Sequence, residues 1–99
     1  MSSSLVEPRR PEALHVVVTD DTLTVDLVDG RSLSVPVAWY PRLAHGTAAE
    51  RANWSVIGRG EGIHWQDLDE DISIEGLLAG RGSVESQASL EKWLRARAG

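Results

Sequence analysis

The sequence predicts an α+β domain: an antiparallel β-meander plus a second short hairpin, packed by short helices and a C-terminal amphipathic helix. Three observations carry this expectation. Apolar residues alternate with period two from Leu14 to Val35 and again from Trp54 to Trp65, two places have helix-capping character, and the last segment changes to helical spacing.

Taken in order, residues 1–12 combine serines, prolines and Arg9-Arg10, a composition that predicts a disordered tail ahead of a single domain over 13–99. Leu14, Val16 and Val18 then alternate with His15, Val17 and Thr19, and Leu23, Val25 and Leu27 with Thr24 and Asp26. Cross-strand neighbours must share a face, so a turn at Asp20-Asp21 pairs Val18 with Leu23, Val16 with Val25 and Leu14 with Leu27. The next turn carries Asp29-Gly30. A two-residue loop there would mix the faces, whereas Val28-Asp29-Gly30 as a bulged three-residue loop pairs Val25 with Leu33 and Leu23 with Val35.

Pro36 marks the end of the third strand. Pro41 suits the first turn of a short helix over 40–44, and Thr47 with Glu50 has capping-box spacing for a helix that ends near Asn53. Two further strands are expected, one carrying Trp54, Val56 and Gly58 on one face, the other Ile63 and Trp65, turning at Gly60-Glu61-Gly62. Ser73 is the expected N-cap of a helix over 74–79, stopped by Gly80. From Ser83 to Ala98, Leu90, Trp93, Leu94 and Arg97 have helical spacing, with a Glu91–Arg95 pair and arginines in the last turn.

Composition limits the function classes. The 99 residues suffice for one core, and with no phenylalanine the large apolar burial falls to Trp39, Trp54, Trp65, Trp93 and Tyr40. No cysteine means no disulfide, thiolate metal site or thiol nucleophile, which suits a reducing compartment. The N-terminal segment lacks a signal-peptide apolar region and nothing approaches a membrane span, so a cytoplasmic location without membrane association is expected. A net charge of −5 disfavours general nucleic-acid binding; the locally basic Arg81, Lys92, Arg95 and Arg97 are the residues through which it would act.

Chemistry-bearing patterns are thin. His15, Asp26 and Ser32 fall in one row of the meander's outer face, but with the aspartate central, whereas a relay needs histidine between nucleophile and carboxylate. Asp67, Asp69 and Asp71 imitate the start of a calcium loop, yet Ile72 stands where that loop needs glycine and Leu78 where it needs a bidentate glutamate. His15, His45 and His64 are too dispersed for zinc, and His64 with Asp67 supplies too few ligands. Gly58, Gly60 and Gly62 precede a strand rather than a helix, so they form no phosphate cradle. No catalytic residue, metal ligand or cofactor is expected, and the chain is not expected to be an enzyme. From Glu61 to Glu75 there are acids at 61, 67, 69, 70, 71 and 75 and no lysine or arginine, an electronegative block suited to a basic partner. The candidate partner-binding residues are Trp39, Trp54, His64, Asp67, Asp69, Glu70, Asp71 and Glu75.

The segments WYPRL at 39–43, Trp54, GIHWQDLDEDISIEGLLAG at 62–80 and ESQASLEKWL at 85–94 stand together in one order. Over about 14–94 the chain resembles the small bacterial family catalogued as domain of unknown function 2442. The resemblance implies a compact α+β fold, no established enzyme chemistry, and a partner protein encoded nearby in arrangements suggestive of toxin–antitoxin pairs. It makes a non-catalytic protein-interaction module the leading expectation. The alternatives are a small ligand- or metal-binding domain or enzyme centred on His64 and Asp67, and a nucleic-acid-binding regulator using the C-terminal helix.

Overall fold

A computed structural model describes residues 11–98. The first sheet is the expected meander, β1 (Ala13–Val18), β2 (Thr22–Leu27) and β3 (Ser32–Pro36), in that order and antiparallel. Val18 pairs with Leu23, Val16 with Val25, Val25 with Leu33 and Leu23 with Val35, as face parity requires. Gly30 has φ 97° and its N–H returns to the Leu27 carbonyl, which gives the left-handed loop position that admits a glycine without strain.

The register departs from expectation at the start of β1. An irregularity between Ala13 and His15 places Ala13, not Leu14, opposite Leu27, and Leu14 is 64% exposed. The cause is a competing bond: the Ala13 N–H donates to the Gly60 carbonyl at 2.7 Å, drawing the strand end toward the second sheet. Gly60 is fixed by the same contact, because it has φ 103° and a Cβ there would lie 3.0 Å from the Ala13 backbone. Of the expected tail over 1–12, residues 1–10 lie outside the described residues; the Glu12 carbonyl accepts from the Val28 N–H.

After β3, a 3₁₀ turn at Val37–Trp39 leads into α1 (Pro41–Ala44), with Pro41 at its first position. Helix α2 (Ala48–Ala52) has both halves of the capping box, Thr47 Oγ1 accepting from the Glu50 N–H and Glu50 Oε1 from the Thr47 N–H. Strand β4 (Trp54–Ile57) ends earlier than expected. Gly58 is already left-handed (φ 62°), so the connection to β5 (Gly62–Trp65) is Gly58 to Glu61 rather than Gly60 to Gly62.

The second sheet contains a strand that the alternation did not reveal. β6 (Glu70–Ser73) pairs with β5, Ile63 opposite Ile72 and His64 opposite Asp71, so the expected hairpin becomes three strands. Ser73 then caps α3 (Ile74–Leu78) by accepting from the Gly76 N–H, and Gly80 follows at φ 75°. Helix α4 (Gln87–Ala98) closes the chain.

Both sheets contribute to one core, in which Leu23, Val25, Ile63, Trp65, Leu43, Leu68, Ile74 and Leu77 are the most enclosed side chains. α3 packs against β3 and β6, and α2 against β1. Arg51 is buried at 8% exposure among these apolar groups. Its Nε and Nη2 donate to the Leu43 and Ala44 carbonyls at the end of α1, its Nη1 reaches Asp20, and its carbonyl accepts from Trp65 Nε1. The guanidinium thus adds donors at the end of a four-residue helix, to the Ala44 carbonyl and to the Leu43 carbonyl that also accepts the Gly46 N–H.

Candidate functional site

Strand alternation divides the acidic block. On β6, Glu70 and Ile72 share the inner face with Trp65 and Ile63, while Asp71 lies outside beside His64. Asp71 Oδ1 and His64 Nδ1 are hydrogen-bonded on that outer face. Asp67 accepts from Asn53 Nδ2 at 2.9 Å, and Asp69 takes the left-handed conformation (φ 49°) that lets the chain turn into β6. Glu75 is exposed in the first turn of α3. The eight candidates therefore form no single cluster. Trp54 meets His15 of β1 in a T-shaped ring contact, and Trp39 lies in the 3₁₀ turn after β3.

The inward turn of Glu70 opens onto a groove of about 370 Å³ between β6, α3, the start of α1 and the segment leading to α4. Tyr40, Arg42, Asp69, Glu70, Arg81 and Glu85 are among the residues that line it. Arg42 organises one side. Its Nε and Nη2 donate to the Glu85 carboxylate, its Nη1 to the Leu68 and Asp69 carbonyls, and its guanidinium lies 4.9 Å from the centre of the Trp93 ring. Two parallel bonds to one carboxylate fix the planar guanidinium, which holds Glu85 below and Arg42 above their ordinary ionisation ranges.

Glu70 is treated differently. Burial pushes its carboxyl above the ordinary range, against the smaller opposing effects of the Asp71 N–H and the Arg42 charge. Tyr40 is raised as well, first by burial and then by the nearby Glu70 charge, and its hydroxyl donates to the Arg81 carbonyl at 2.7 Å. Glu70, Tyr40 and Arg42 are thus one electrostatic unit that sequence spacing could not assemble. The available signal was the P-R-L after the third strand, whose arginine sits at the first turn of a proline-started helix.

On the meander's outer face, the row of His15, Asp26 and Ser32 forms as expected. Ser32 Oγ donates to Asp26 at 2.6 Å while His15 turns to Trp54, so the serine proton has a carboxylate acceptor and no histidine. The basic C-terminal residues are also divided: Arg97 forms two bonds to Glu50 and lies over Trp93, and Arg81 lines the groove, leaving Lys92 and Arg95 exposed. Among the described residues no three or more histidine, aspartate or glutamate side chains converge as metal ligands, and no helix is long and apolar enough to cross a membrane.

Two small antiparallel sheets on one core, with short capped helices and a polar groove at the β6 end, define a compact α+β domain. The family described as Protein of unknown function (DUF2442) matches residues 13–83, and the chain belongs to it. The match ends before α4. Among solved structures, a protein of unknown function from Rhodospirillum rubrum is similar with a TM-score of 0.66 and 27% identity, covering 81% of this chain and 96% of the other. An uncharacterized protein from Chromobacterium violaceum, known from a solution structure, has a TM-score of 0.63 and 20% identity, over 82% of this chain and 74% of its own, a likeness of fold. None of the curated proteins matches.

Proposed function

We propose that this chain is a non-catalytic protein-interaction module, the acidic, antitoxin-like member of a two-protein pair, and that its partner presents a basic surface. The observation that carries this reading is the disposition of Asp67, Asp69, Asp71 and Glu75. All four are exposed around the β5–β6–α3 turn, and among the described residues they do not gather into a set of metal ligands. Of these, Asp69 lies 3.8 Å from an arginine nitrogen at 88% exposure, too open to be neutralised strongly. An electronegative rim of this kind speeds and orients encounter with a basic partner. Co-expression with the product of the adjacent gene tests it. One co-eluting species on size-exclusion chromatography is the expected result, and two separate peaks at micromolar concentration overturn the reading.

A further inference from the structure

The groove beside the acidic rim contains a half-buried carboxylate, Glu70, that forms no direct ion pair among the described residues, with the Arg42 charge acting on it only from a distance. Glu70 Oε1 accepts the Asp71 N–H, and Arg42, the arginine whose charge acts on it, has Nε and Nη2 committed to Glu85 and Nη1 to two backbone carbonyls. A carboxylate withdrawn from water without a counter-charge costs stability, and an evolved domain tolerates that cost chiefly where binding or chemistry uses the group. The groove around it, at about 370 Å³, falls within the roughly 300–1,000 Å³ of ordinary ligand pockets.

We infer that this groove is a socket for one lysine or arginine side chain of the partner, with Glu70 as the counter-charge at its base. The inference rests on the interaction-module reading and specifies where the partner's anchor enters. The lining selects the guest by charge. With Asp71 turned outward to His64, Asp69, Glu70 and Glu85 still outnumber Arg42 and Arg81, so an anion is disfavoured. Three convergent ligand side chains, which a bound metal ion requires here, are absent among the described residues. Tyr40 offers an aromatic wall beside the carboxylate, suited to the methylene stem of a long basic side chain. Arg81, its guanidinium against Gly76, meets a backbone carbonyl or carboxylate next to that side chain in the partner. Withdrawal of Glu70 from water makes the same point independently, since burial already disfavours its ionised form and an entering cation reverses that.

The test uses the isotope-labelled full chain titrated at low salt with hexalysine, with hexaglutamate as the opposite-charge control. Backbone amide shifts at Glu70, Ser73, Gly76 and Gly82 are expected to saturate together with hexalysine and to stay unmoved with hexaglutamate. Glu70→Gln, which keeps the shape, should weaken hexalysine by about tenfold, the loss expected for one charge-assisted contact. Glu75→Gln, outside the groove, should change it by less than about twofold. A thermal midpoint for Glu70→Gln no lower than that of the parent separates lost binding from lost folding. Shifts confined to Asp67, Asp71 and Glu75, with unchanged affinity in Glu70→Gln, overturn the socket and leave the interaction reading standing. Groove shifts with hexalysine but no co-elution with the adjacent gene product overturn that reading and keep the socket.

Discussion

Trp65 on β5 and Trp93 on α4 are the same residue type in two different settings. Trp65 is fully enclosed by both sheets and gives its Nε1–H to the Arg51 carbonyl. Trp93 is only partly buried, against the guanidinium groups of Arg42 and Arg97, and α4 contributes no buried side chain among its described residues. The first is held by loss of apolar surface to water, the second by charge placed on a ring face and by two arginine–carboxylate pairs. Removing large apolar area is the stronger and less salt-sensitive of these forces. The body of the domain and its last helix should therefore come apart separately, and the family match to residues 13–83 coincides with the more strongly held part.

Breaking the stronger side comes first. Trp65→Ala should cost about 3–5 kcal/mol and unfold most of the chain, read from the urea midpoint. A loss below about 1 kcal/mol would show that Trp65 does not anchor the core. Arg51→Met nearly keeps volume but leaves the Ala44 carbonyl without its donor and the Leu43 carbonyl with the Gly46 N–H alone, so a cost of about 1–3 kcal/mol is expected in the same measurement. An unchanged midpoint would mean that water or relaxation meets those carbonyls instead.

On the weaker side, Trp93→Ala should cost about 1 kcal/mol, because only a half-buried ring and its two guanidinium contacts are removed. Amide exchange should accelerate in α4 and not in β2 or β5; uniform acceleration would contradict separate release. Acid sharpens the contrast further. Arg97 and the Thr47 N–H hold the Glu50 carboxyl down at about 2, and Arg42 lowers Glu85. Groups with lowered folded pKa contribute stability that is present above the unfolded pKa of about 4.3 and disappears as pH falls through the folded value. α4 should therefore loosen between about pH 4.5 and pH 2, with Glu50→Gln removing part of that dependence in amide-exchange profiles. Glu70 has the opposite sign: its raised pKa makes its ionisation unfavourable to folding, so Glu70→Gln should not destabilise the domain at neutral pH. The smallest effect expected is Leu14→Thr, within about 0.5 kcal/mol, since the irregular start of β1 leaves that side chain in water. A cost above about 1.5 kcal/mol would restore Leu14 to the core face.

Legibility followed the range of the interaction. The meander, the bulged turn at Gly30, the Thr47 capping box and the Ser73 cap depend on residues within a few positions of one another, and all were readable. β6 was not, because its acids have low strand propensity and only Ile72 points into the core; a neighbouring strand, not local pattern, extends it. The candidate site was legible as a composition and not as a place. Among its eight residues, strand alternation sends Glu70 inward to the groove and Asp71 outward to His64.

By itself, then, the sequence determined the α+β class, the parity of the first sheet and the ends of its short helices, because face alternation, glycine at positive φ and capping are properties of adjacent residues. Tertiary structure alone decided that Ala13 replaces Leu14 in the core and that Arg51 becomes a buried donor. It also left Glu70 in a groove shared with Arg42, already engaged by Glu85, and Arg81, without a direct ion pair to either. Each of these turns on a hydrogen bond or charge pairing between distant segments, Ala13 with Gly60, Arg51 with Asp20, Arg42 with Glu85, which no local spacing encodes.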